Sequence, residues 1–156
     1  MAYIYRARGD LNLGNKERVG SVLKVVRLER GGAAYPITIA ELKSAQRDLK
    51  RLLSEEEANQ LFDFLAVNPE SGDVIPETGG IRKLRWKGQG KGRSKGVRIC
   101  YFYHDLNMPL FILAVYAKGE RLRLSKREEI EMAKLVRELT DQYRLKWEDT
   151  ISGQLA

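Results

Sequence analysis

Between Gly79 and Tyr103 the chain carries Arg82, Lys83, Arg85, Lys87, Lys91, Arg93, Lys95 and Arg98, and no Asp or Glu. Such a stretch repels itself. An anionic partner is the expected compensation, and a phosphate backbone supplies one through release of its condensed counterions. In Ile81-Arg-Lys-Leu-Arg-Trp86 an alternation of period two puts Ile81, Lys83 and Arg85 on one side of an extended chain and Arg82, Leu84 and Trp86 on the other. Arg98 interrupts the otherwise apolar Gly96-Val-Arg-Ile-Cys-Tyr-Phe102, where a charge belongs either to a functional face or to a structural salt bridge. Lys118 directly follows an apolar run, at a strand end where reactive groups are often presented. Cleavage of RNA by its own 2′-hydroxyl needs that hydroxyl deprotonated, a crowded anionic phosphorane stabilised and a 5′-oxygen protonated. Arg and Lys can stabilise the charge, and a lysine crowded by other cations becomes a better proton acceptor near neutral pH.

Other catalytic sets fit less well. The single histidine, His104, has no nucleophile elbow to complete a Ser-His-Asp triad. The acids fall mainly in helix first turns and on solvated faces rather than in a metal-binding cluster, so no metal or other cofactor is expected. Gly88-Gln-Gly-Lys-Gly92 lacks the GxxxxGK[ST] spacing and joins two extended segments rather than a strand and a helix, so it is no nucleotide cradle. It reads as a basic hairpin loop able to touch nucleic-acid backbone. Cys100, the one cysteine, reads as a small buried hydrophobe and leaves no internal disulfide, in keeping with a reducing compartment.

The residues that hold these cations in place are those of a modest globular protein. Its 156 residues suit one domain, and 43% hydrophobic with 31% charged residues is enough apolar surface to offset chain entropy. The net charge of +7 and a sequence pI near 9.6 agree with a polyanionic partner. The longest apolar run, Leu110 to Ala117, is far short of the ~20 residues of a membrane span, and no secretory pattern opens the chain. A cytoplasmic protein with no membrane partner is therefore expected.

Residues 1–34 are glycine-punctuated and basic, and read as an extension in which only Val22 to Leu28 could form a strand or helical turn. The domain is placed at 35–147 and a tail at 148–156. Thr38-Ile-Ala-Glu41 has the form of a capping box, followed by Ile39, Leu42, Gln46, Leu49 and Leu53 at helical spacing. A second box, Ser54 to Glu57, precedes Ala58, Leu61, Phe62 and Leu65 on a helix that stops before Asn68-Pro69. Breakers from Asn68 to Gly80 predict irregular chain. Strands are predicted at Ile81 to Trp86, Val97 to His104 and Leu110 to Tyr116, the last buried on both faces. A short strand near Tyr35 to Ile37 could join them. A third box, Ser125 to Glu128, opens a helix to about Lys146 with Met132, Val136, Leu139 and Tyr143 on its apolar face. The expected fold is α+β, with two N-terminal helices and one C-terminal helix covering one face of a small antiparallel sheet.

With these motifs in order, the chain resembles the RelE/ParE toxin superfamily, and within it the HigB branch. The resemblance rests on Asn68-Pro-Glu-Ser-Gly-Asp-Val-Ile-Pro76, Thr78-Gly-Gly-Ile-Arg-Lys-Leu-Arg-Trp86, Gly90-Lys-Gly92, Gly96-Val-Arg-Ile-Cys-Tyr-Phe-Tyr103 and Tyr116-Ala-Lys-Gly-Glu120, and runs from about Tyr35 to Tyr143. It implies a RelE-like fold and the toxin of a type II toxin–antitoxin system. Such a toxin is a metal-independent endoribonuclease that cleaves mRNA on the 70S ribosome, leaving a 2′,3′-cyclic phosphate and a 5′-hydroxyl. The implied partner is a cognate antitoxin, of the kind that is often a helix-turn-helix DNA-binding protein. Carried over by motif, Lys83 is the candidate general base, Arg85 and Arg98 hold the scissile phosphate, and Lys118 assists the leaving oxygen. Gly119 stands where RelE has a second basic residue, and Arg121 or Arg123 is the candidate substitute. Arg82, Lys87, Lys91, Arg93, Lys95, Arg121 and Arg123 are the expected contacts to RNA or ribosome. Two other readings compete: a ParE-like inhibitor of DNA gyrase, and a non-catalytic nucleic-acid-binding module.

Overall fold

A computed structural model describes residues 2–3, 24–28, 37–87, 96–105 and 108–155, with side chains over 39–87, 96–105 and 108–144. In chain order the elements are β1 (Ala2–Tyr3), β2 (Lys24–Leu28), β3 (Ile37–Glu41), α1 (Lys43–Leu52), α2 (Glu55–Val67), β4 (Asp73–Val74), β5 (Arg82–Trp86), β6 (Val97–Phe102), β7 (Leu110–Ala117) and α3 (Lys126–Leu155). The described strands form one seven-stranded sheet in the order β1-β2-β3-β7-β6-β5-β4. The α+β class is as the sequence predicts. The sheet, however, is mixed rather than antiparallel, because β3 runs parallel to β7 while the other neighbours are antiparallel.

Thr38 to Glu41 is a strand and not the start of a helix. Ile37, Thr38 and Ile39 are β-branched and suit a pleated, buried surface. Pairing with β2 on one side and β7 on the other satisfies the backbone there, which an isolated capping box cannot match. The helix begins only at Lys43, with Leu42 at its N-cap and no side-chain cap. Ile39 still reaches the core, alongside Ala45, Leu49 and Leu53 of the following segment.

The second helix behaves as its sequence reads. Ser54 and Glu57 form the reciprocal capping box, and Leu61, Phe62 and Leu65 are buried. It ends where Asn68 donates from both its backbone N–H and its Nδ2 to the carbonyl of Phe64, at 2.9 and 3.1 Å. The breaker-rich stretch beyond contains one short strand that the pattern did not predict, β4, paired to β5 through Asp73 and Val74. Gly79 and Gly80, at φ 76° and 110°, take the left-handed conformations that glycine accepts without steric cost. Thr78, buried beside them, donates to the carbonyl of Ile75 and accepts from the N–H of Ile81.

The helices do not share one face of the sheet. Leu49, Leu61, Phe62 and Leu65 meet Ile39, Leu84, Ile99, Tyr101 and Ile112 on one side. Val136 and Leu139 of α3 meet Ala40, Cys100, Phe102, Phe111 and Tyr116 on the other. That two-sided cover explains why every residue of β6 is buried and all but the last of β7, as expected for the central strand. α3 opens with the predicted capping box, Glu128 N donating to Ser125 Oγ and Ser125 N to Glu128 Oε2, and runs to Leu155, nine residues beyond Lys146. β1 and β2 lie within residues 1–34, the segment whose pattern reads as an extension, and continue the sheet beyond β3. Among the described residues no helix is long and apolar enough to cross a membrane.

Candidate functional site

The register of the sheet brings the strand cations together. Lys83 lies opposite Cys100, and Arg85 opposite Arg98. Across the next pairing Arg98 lies opposite Tyr116 and Cys100 opposite Ala114. Ile81, Cys100 and Tyr116 belong to the core on the α3 side, whereas Leu84, Ile99 and Tyr101 belong to the other. By strand alternation Lys83, Arg85 and Arg98 therefore share the α3 side, and side chains directly opposite hold their Cβ atoms about 5 Å apart. Lys118 joins them at one end, its N–H donating to the carbonyl of Gly96 at 3.2 Å.

What these cations lack is as informative as where they lie. Arg51, Arg121, Lys126, Arg127 and Arg144 each reach a carboxylate. Among the described residues Lys83, Arg85, Arg98 and Lys118 form no ion pair. Among the described residues, then, Arg98 has no structural salt bridge. It is only 8% exposed, and its buried Nη1 has no hydrogen-bond partner among the described residues. A charged donor held this way is costly unless an acceptor arrives. Gly96 makes room for it: a Cβ there would lie 3.4 Å from Arg98 Nη1 and 3.2 Å from the carbonyl of Trp86.

Tyr116 completes the face and was not singled out by sequence, where it lies within the apolar run Leu110 to Ala117. It is 2% exposed, and its hydroxyl, like Arg98 Nη1, is buried without a partner. Burial pushes its phenol pKa up, outweighing the pull of Arg121 and Arg98, so at neutral pH it remains a neutral donor. The guanidinium of Arg121 lies over the ring, 4.9 Å from its centroid. Arg121 is held there by Glu128, with Nη1 at 2.7 and 2.9 Å from the two carboxylate oxygens. That bond, followed by the Ser125 N–H, keeps the Glu128 carboxyl below its ordinary pKa. Cys100 is the reverse case: burial drives its thiol up to about 12 against the opposing charges of Lys83 and Arg121, so it is no thiolate nucleophile.

The remaining predicted contacts are distributed differently. Arg82 is on the opposite side of β5, where its Nη1 donates to the carbonyls of Glu70 and Gly72 at 3.0 and 2.8 Å. Lys87 and Arg123 are exposed. Lys91, Arg93 and Lys95 lie outside the described residues. Among the described residues no group of three or more His, Cys, Asp or Glu side chains could hold a metal ion. No protein-family model matches the chain.

The arrangement offers positive charge and a neutral donor on one side of the sheet, with one lysine on β5 and another just past the end of β7. Such a set has the charge and the donors to hold an anionic oxygen-rich group. The Tyr116 signal was present in the sequence as a hydroxyl inside a run that is otherwise apolar. The Arg121–Glu128 pair was not, because it spans the turn between a strand and a helix whose relative direction only packing defines.

Proposed function

We propose that this protein is a RelE-like, HigB-branch toxin, a metal-independent endoribonuclease acting in the cytoplasm on mRNA bound to the 70S ribosome. The observation that carries the reading is that Lys83, Arg85 and Arg98 share one sheet face and, among the described residues, have no carboxylate to neutralise them. In this reading Lys83 takes the proton of the attacking 2′-hydroxyl while that oxygen bonds to phosphorus. Arg85 and Arg98 stabilise the pentavalent phosphorane, and Lys118 donates a proton to the departing 5′-oxygen. The products are a 2′,3′-cyclic phosphate and a 5′-hydroxyl. The growth-arresting activity would be held off by an antitoxin, a helix-turn-helix DNA-binding protein in the form we expect.

The test is to incubate the purified chain with 70S ribosomes programmed with a defined mRNA and map the new ends. Cleavage inside the ribosome-bound codon, with cyclic-phosphate termini and no dependence on chelators, is expected. Intact mRNA together with lost gyrase supercoiling would replace the reading with a ParE-like one. Ribosome or RNA binding without new ends would replace it with a non-catalytic binding module.

A further inference from the structure

Among the described residues, two buried polar groups on the α3 side have no hydrogen-bond partner: Arg98 Nη1 and the Tyr116 hydroxyl. They belong to residues directly opposite each other on β6 and β7, 8% and 2% exposed. Leaving one buried donor unpaired costs roughly 1–3 kcal/mol and leaving a charged one costs more. A phenylalanine would remove the penalty at 116. The two groups make no hydrogen bond to each other, and among the described residues no acidic side chain accepts from either one. An acceptor-rich anion with at least two free oxygens, entering beside them, would satisfy both.

We propose that the Tyr116 hydroxyl is a ligand of the substrate phosphate, a neutral donor acting beside Arg98 on the second non-bridging oxygen. The assignment rests on reading this face as a phosphodiester site. Three further features suit it. Lys83 and Arg85 lie on the same face, so the anion is drawn to it. Arg121 sits over the Tyr116 ring, and its side chain is 39% exposed, enough to exchange Glu128 for the arriving phosphate. Tyr116 stays protonated because burial raises its pKa, so it contributes a hydrogen bond without adding negative charge next to the phosphorane. The chemistry selected is a phosphate monoanion or diester rather than a planar carboxylate-bearing ligand, because cations and neutral donor lie on three adjacent strands and an sp³ phosphorus presents oxygens in more than one direction.

The full-length protein carrying Tyr116→Phe tests this, with two readouts. The first is titration with inorganic phosphate, following the ring carbon that bears the hydroxyl in wild-type protein labelled at tyrosine. The second is cleavage of mRNA on 70S ribosomes. We expect phosphate to move the Tyr116 signal, Tyr116→Phe to weaken phosphate binding about tenfold or more, and cleavage to slow by a similar factor. Thermal stability should stay equal or rise. A structural tyrosine would instead lose stability and activity together, and that result overturns the assignment. So does a variant that binds phosphate and cleaves as wild type does, even though wild-type cleavage would leave the nuclease reading standing. Conversely, phosphate binding that depends on Tyr116 in a protein that never cleaves RNA supports the ligand and removes the nuclease.

Discussion

Arginine and tyrosine lie opposite each other at three places in this sheet, Tyr3 with Arg27, Arg82 with Tyr101 and Arg98 with Tyr116, and the last two pairs behave differently. Arg82 and Tyr101 face each other between β5 and β6. There the Tyr101 hydroxyl accepts from the N–H of Gly72 at 2.9 Å, and Arg82 reaches the carbonyls of Glu70 and Gly72. Both side chains are tied to the loop that leads into β4. Arg98 and Tyr116 face each other between β6 and β7, and there Arg98 Nη1 and the tyrosine hydroxyl have no partner. A guanidinium beside a phenol is thus a fastener where backbone acceptors and donors close around it, and keeps unused hydrogen-bonding capacity where they do not. The chemistry follows from what the neighbouring chain supplies rather than from the side chains themselves.

The sharpest way to break this contrast is to delete the two arginines in turn. Arg98→Ala should lower kcat/KM for ribosome-dependent cleavage by about 100- to 1000-fold, the usual loss when one charge-stabilising donor is removed, with the melting temperature little changed. Arg82→Ala should do the opposite, keeping kcat while destabilising the fold by roughly 1–3 kcal/mol, because two carbonyls lose their donor. If both variants lose activity at equal stability, the division into fastener and site is wrong.

Gly72 tests the fastener from the loop side. A Cβ at that position would come within 2.9 Å of Tyr101 Cε1, 3.0 Å of its hydroxyl and 3.1 Å of Arg82 Cβ. Denaturant melts of Gly72→Ala should show a loss of roughly 1–3 kcal/mol, typical of overpacking. Tyr101→Phe should cost about 1 kcal/mol, since it leaves the Gly72 N–H without its acceptor, whereas Tyr116→Phe should cost nothing. Equal losses at positions 101 and 116 would erase the contrast between the two tyrosines.

Two smaller effects extend the comparison outward. Neutralising Lys91, Arg93 and Lys95 together should weaken ribosome binding and lower its salt dependence, by about one unit of log–log slope for each phosphate that no longer meets a cation. An unchanged slope would limit that loop to connecting strands. The Arg121–Glu128 pair should matter only modestly to folding. Because Glu128 titrates lower when folded than its ordinary 4.5, its contribution is present above that unfolded value and lost as pH falls through the lowered one. At a carboxylate whose side chain is 34% exposed solvent screening keeps this below about 1 kcal/mol. Glu128→Gln should flatten the acid limb of the stability profile by no more than that, as read from melts across the acid range on either side of the ordinary carboxylate pKa.

Much of this was legible in the chain. Ser54 and Glu57, Ser125 and Glu128 announce helix starts because their hydrogen bonds are local and need no distant partner. The alternation in Ile81 to Trp86 separates Lys83 and Arg85 from Arg82 for the same reason, as side-chain direction in a strand follows from its own backbone. Thr38 to Glu41 misled because a capping-box pattern and a strand pattern coincide there, and pairing with β2 and β7 outweighed it.

By itself, then, the sequence determined the positions of two helix starts, the two sides of β5 and an uncompensated block of positive charge, all properties of neighbouring residues. Tertiary structure alone decided the parallel pairing of β3 with β7, the placement of α3 opposite α1 and α2, and the alignment of Arg85, Arg98 and Tyr116 across three strands. Those depend on register and packing between segments far apart in the chain. Only there is it settled which buried polar groups find partners within the fold and which do not.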